Sequence, residues 1–175
     1  MDLGSVDRIT AGTIGEPGSR TFYLQARARD QLVTVVVEKQ QVQLLSASIL
    51  ELLADLELET GVGPSDDELG LEDPVDPMWR AGRLSIGYDH DRQLFVLEIE
   101  ESLPETEGDE PPSILDGAAE PEVVQLAATR EQMFALSRYG AAVAEQGRPT
   151  CQFCGNPIDA EGHACPAMNG HSKRN

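Results

Sequence analysis

The chain has 175 residues, the length of one ordinary domain with room for a small appendage. Lys and Arg total 13 against 31 Asp and Glu, and a formal net charge of −18 argues against gripping a phosphate backbone with the whole surface. No apolar run approaches the roughly 18 residues of a membrane span, and the start, Met1-Asp2-Leu3-Gly4-Ser5, lacks the basic and apolar parts of a secretory signal, so the expected compartment is the cytoplasm.

Three strands are predicted first. Val6 to Ile14 is interrupted by Gly12. From Arg20 to Arg27, Phe22, Leu24 and Ala26 alternate with Tyr23, Gln25 and Arg27, the period of a half-buried strand. Leu32 to Glu38 holds the β-branched run Val33-Thr34-Val35-Val36-Val37, which suits a strand covered on both faces. A helix is predicted over Lys39 to Thr60, where Leu45, Ile49, Leu52, Leu53 and Leu56 recur at steps of three and four, with Gly61 placed to end it.

Residues 62–77 carry six acids (Asp66, Asp67, Glu68, Glu72, Asp73, Asp76) and no base. Such a stretch repels itself and is expected to form a solvated loop, with attraction of a basic partner as the alternative reading. Met78 to Glu100 reads as a hairpin with Leu84, Ile86 and Tyr88 alternating on one arm and Phe95, Leu97 and Ile99 on the other, joined through Asp89-His90-Asp91-Arg92. A second acidic loop follows at 102–122, with seven acids and no base, and then a short strand, Val123 to Ala127. Thr129 and Gln132 form a capping box for a second helix to Gln146, whose inward row is Met133, Leu136, Gly140 and Val143; Gly147 and Pro149 end it. The expected fold is α+β over residues 1–148, an antiparallel sheet with two helices packed on one face, followed by a zinc-binding tail at 149–175. The two halves share a strand-then-helix rhythm, without a repeat that counting supports.

The chemistry is concentrated in the tail, which reads C-x2-C-x8-H-x-C through Cys151, Cys154, His163 and Cys165. Three clustered cysteines, an odd number, do not make a disulfide framework, and reduced thiols at this spacing usually bind metal. Cys151 and Cys154 can grip one ion, and Gly155 after them lets backbone N–H groups approach the sulfurs. Three thiolates and one imidazole are a closed tetrahedral set for zinc. His171 is a second candidate for the fourth ligand; His163 is preferred because it lies within the turn. Two positive charges against three thiolates leave the site one unit negative, a poor Lewis acid, so the Zn2+ is read as structural, pinning a tail that presents Phe153, Ile158 and Met168.

Other constellations carry less. His90 sits between two aspartates in a turn, where a solvated histidine is expected. The nucleophile-elbow and phosphate-loop patterns are absent from the sequence. Arg20, Arg27, Arg29, Arg80 and Arg83 lie on or near strands; surface ion pairing is the expected use, with an anion pocket as the alternative.

The tail from Cys151-Gln-Phe-Cys154-Gly to Gly162-His163-Ala-Cys165-Pro, with Pro17-Gly18-Ser19-Arg20-Thr21-Phe22-Tyr23-Leu24-Gln25, resembles an actinobacterial family of unknown function over most of the chain. The resemblance implies C-x-F-C-G-x-P and G-H-x-C-P motifs mapping onto Cys151, Cys154, His163 and Cys165. It further implies genes beside a phosphatidylinositol 3-/4-kinase-like protein and a histidine-phosphatase-like protein. Where many relatives have arginine after Cys-Pro, this chain has Ala167. The expected function is a non-enzymatic accessory or adaptor protein that docks a protein partner. The alternative is an enzyme or receptor for a phosphorylated small molecule in such a kinase/phosphatase-linked system. Nucleic-acid binding through Lys173 and Arg174 is not expected against this net charge.

Overall fold

The computed structural model describes residues 1–103, 120–146, 151–154 and 165. Along the chain come β1 (Asp2–Ser5), β2 (Arg8–Ile14), β3 (Thr21–Ala28), β4 (Gln31–Val37), α1 (Lys39–Asp55), a 3₁₀ turn (Asp66–Glu68), β5 (Ala81–Asp89), β6 (Leu94–Glu101), β7 (Val123–Ala128) and α2 (Arg130–Glu145). The α+β class read from the sequence is observed. The strands divide into two sheets, ordered β2-β3-β4 and β1-β7-β6-β5. Every pair is antiparallel except β1 with β7, which is parallel.

The two sheets are stitched together at two seams. At the first, the Val6 N–H donates to Ala127 O (2.8 Å) and the next amide, Asp7 N–H, donates to Arg27 O (2.8 Å). The chain therefore leaves one sheet and enters the other between neighbouring residues. At the second seam, Met78 N–H donates to Thr34 O and Val36 N–H to Trp79 O (2.9 Å each), with a parallel bridge between Val36 and Arg80. The arrangement is a duplication. Each half is a short lead segment, three antiparallel strands and a helix, and each lead segment lies parallel to the last strand of the other half.

The helices lock both seams with the same residue. Gln41 and Gln132 are each the third residue of their helix, and each side-chain carbonyl accepts from the N-cap amide, of Glu38 (2.7 Å) and Thr129 (2.9 Å). Each side-chain amide then reaches across. Gln41 Nε2 donates to Ala81 O (3.1 Å) and Gly82 O (3.0 Å); Gln132 Nε2 donates to Val6 O (3.1 Å) and Asp7 O (3.0 Å). The apolar stripes of the helices meet the inner faces of both sheets in one core that includes Ile9, Val35, Ile49, Phe95, Leu97, Leu126, Met133 and Leu136. A Cβ on Gly140 would stand 3.0 Å from Ser46 Oγ, so the missing side chain permits the close approach of α2 to α1. Helix α1 ends at Asp55, short of the expected Thr60, because Glu57 takes a positive φ of 50°.

The first acidic segment corrects the expectation of a solvated loop. It lies as a strap over the outer face of β2 and β3. Leu69 is fully buried, and beneath the strap runs the polar row Thr10, Gln25 and Thr34, at most 1 % exposed. Each member is satisfied. Thr10 Oγ1 donates to Leu69 O. Gln25 Nε2 donates to Thr34 Oγ1 (3.1 Å) and Glu72 O (3.0 Å), and Gln25 Oε1 accepts from Glu72 N–H (2.8 Å). The Glu72 carboxylate then takes two arginines, Arg27 through Nε (2.8 Å) and Nη2, and Arg8 through Nη1 (3.1 Å). The Arg27 guanidinium, with Arg8 beside it, holds the Glu72 carboxyl below the usual carboxylate range. Gly12 belongs to the same contact, since a Cβ there would stand 2.5 Å from Leu71 Cγ. Of the second acidic segment, 104–119 lies outside the described residues.

Two outcomes follow. Leu69→Ala is expected to cost about 2–4 kcal/mol in urea unfolding, whereas truncation in a solvated loop stays within about 0.5 kcal/mol. Because the Glu72 carboxyl is depressed in the folded state, its contribution is complete above the ordinary glutamate range and is lost as pH falls through the lower folded value. Glu72→Gln should therefore lower stability at pH 7 and reduce the loss of stability between about pH 5 and pH 3, read by denaturation at several pH values.

Candidate metal centre

Helix α2 ends at Glu145, and the carbonyl of its C-cap, Gln146, accepts from Arg20 Nη1, a cation placed against the negative end of the helix dipole. Beyond it, Cys151–Cys154 forms a tight turn. The amides of Phe153 and Cys154 point back at Cys151 and, in that order, lower its thiol below the ordinary cysteine value against the opposing effect of burial. These N–H···S contacts are the ones the sequence predicts for a knuckle.

The Sγ atoms of Cys151, Cys154 and Cys165 all lie within 4.8 Å of one another, and Cys151 Sγ is 3.7 Å from Cys165 Sγ. Two sulfurs bound to one tetrahedral ion at the Zn–S distance of 2.3 Å stand about 3.8 Å apart. The geometry fits shared ligation, and none of the three is in a disulfide. Cys151 and Cys165 are buried and Cys154 is half-buried, while Phe153 between the first pair is 62 % exposed. Soft thiolates select zinc-like or cuprous ions over Mg2+ or Ca2+. The predicted fourth ligand His163, its rival His171, and Ile158 and Met168 lie outside the described residues.

His90 packs edge-on to Tyr88 at 5.1 Å in a turn tied by Asp89 Oδ1, which accepts from the amides of Asp91 and Arg92 (3.0 Å each). Four arginines considered for an anion pocket are engaged within the fold: Arg27 with Glu72, Arg80 with Glu38, Arg83 with Glu100 (2.9 Å), and Arg20 with the end of α2. Arg29 takes a positive φ of 55° at the β3–β4 turn. Among the described residues, no helix is long and apolar enough to cross a membrane.

A family model described as a protein of unknown function (DUF3090) matches residues 1–165. The chain belongs to the DUF3090 family. That match spans both halves of the fold and reaches Cys165, so the DUF3090 region includes the whole thiol cluster. No curated protein and no solved structure matches the chain.

Replacing any one of Cys151, Cys154 or Cys165 by alanine in this DUF3090 protein should weaken Co2+ or Cd2+ binding by more than the 10–100-fold typical of an outer-shell change. Each loss would be read from the sulfur-to-metal charge-transfer absorption during titration.

Proposed function

We propose that this DUF3090 protein is a non-enzymatic accessory protein whose tail is pinned by a structural zinc ion and docks a protein partner. The observation that carries the reading is the clustering of three sulfurs at ligand spacing, two of them buried. Three thiolates with His163 as the fourth ligand make a closed coordination shell, and a closed shell has no position for a reacting water. The exposed Phe153 sits on the knuckle and gives it an apolar contact for a partner. Helix α2, held at its end by Arg20, gives the tail a fixed base.

Elemental analysis of the purified full-length chain should give one zinc per chain, with weaker retention in His163→Ala. The Co2+-substituted protein should show tetrahedral ligand-field bands that added azide or thiocyanate leaves unchanged. A spectral change on adding the anion would reveal an open position and overturn the non-enzymatic reading. Phe153→Ser should keep the zinc and lose the partner.

A further inference from the structure

Strand β5 ends its sheet, and it is the one long edge that nothing else protects among the described residues. The other edges are short or covered: β1 has four residues, β4 pairs with the segment before β5, and β2, whose backbone pairs with β3 alone, has α2 against Ala11 and the strap against Thr10 and Gly12. The backbone of Arg83–Asp89 pairs with β6 alone among the described residues. Its sequence, Leu84-Ser85-Ile86-Gly87-Tyr88, carries no Pro, no Lys and no inward charge, the usual devices that blunt an edge.

The two halves differ beside this edge among the described residues. Leu44 and Ala135 are each the sixth residue of their helix. Ala135 is 2 % exposed, and a Cβ on Gly63 would stand 3.4 Å from it, so the chain entering the strap covers that face of α2. Leu44 is 61 % exposed and borders an open groove of about 230 Å³ with Leu84 and Ile86. The segment after α1 supplies that cover for α2, and among the described residues nothing covers the equivalent surface beside β5.

We propose that this edge and groove are a self-association surface, with β5 of two copies pairing antiparallel about a two-fold axis through Ile86. The strand is complementary to itself in that register. Ile86 meets Ile86 of the other copy, Leu84 meets Tyr88, and Ser85 meets Gly87, so the apolar residues stay on the inner face and the small ones on the outer. Arg83 then stands opposite Asp89 at both ends, an opposite-charge cross-strand pair. Shifting the axis to residue 85 places Arg83 opposite Gly87 and loses that match, and shifting it to residue 87 carries Arg83 past the strand end at Asp89 to Asp91 in the turn. The Arg83 side chain, 68 % exposed beside Glu100, can span to the second carboxylate. The joined sheets form one continuous eight-stranded sheet, an isologous interface.

The test is sedimentation equilibrium of the full-length chain from about 1 µM to 1 mM, in about 0.15 M salt, where repulsion between two such acidic chains is screened beyond about 8 Å. A monomer–dimer equilibrium is expected for the wild type. Arg83→Asp and Asp89→Arg should each weaken dimerisation at least tenfold while both variants keep the wild-type circular dichroism. An equimolar mixture should restore it, because the mixed pair has opposite charges at both ends. Ile86→Cys, on the axis, should form a disulfide-linked dimer under mild oxidation when the wild type does not. A monomer at all concentrations would assign the edge to a strand from another protein and overturn the proposal, as would variants that dimerise like the wild type.

Discussion

Neither half of this fold can finish its own hydrogen bonding. Each sheet is completed at one side by a short segment from the other half, and backbone amides that ended there unpaired would carry a cost of about 1–3 kcal/mol each if buried. The crossing at Val6 and Asp7 is the sharper of the two seams, since adjacent amides serve different sheets. The third-residue glutamine of each helix secures it, joining the helix N-terminus and the opposite half in a single side chain. The core and the strap both presuppose these two seams.

Much of the architecture was legible in the sequence because single residues carried it. The valine run of β4, the alternation of Leu84, Ile86 and Tyr88 against Phe95, Leu97 and Ile99, and the Thr129–Gln132 capping box each specify an element locally. Strand β1 was not legible. Asp2-Leu-Gly-Ser5 has no strand pattern of its own and is extended because β7 pairs with it from more than a hundred residues away. The strap was misread because its composition is acidic, while its position depends on Leu69, Leu71 and one carboxylate. A signal was present in Thr10, Gln25 and Thr34. An exposed strand face usually carries charged side chains, and a row of uncharged polar ones marks a face that is covered and hydrogen-bonded.

The thiol cluster divides along the same line. The C-x2-C spacing and the third thiol specify a cluster from the sequence alone, and the sulfurs gather at ligand distance. What the spacing does not reveal is the electrostatics around it. The turn amides of Phe153 and Cys154 hold the Cys151 thiol below the ordinary cysteine value. The strap shows the same economy, since Glu72 is an acid fixed by two arginines. Part of the acidity of this chain is thus internal scaffolding and part is solvated surface.

The pairing of β1 with β7 also bears on how the protein is made. Asp2 aligns with Gln125, so during synthesis β1 waits for β7. At 5–20 residues per second, that interval is on the order of ten seconds. During it β2, β3 and β4 can hairpin together while β1 stays unpaired, and the sheet of the second half gains its outer strand only after β7 has been made.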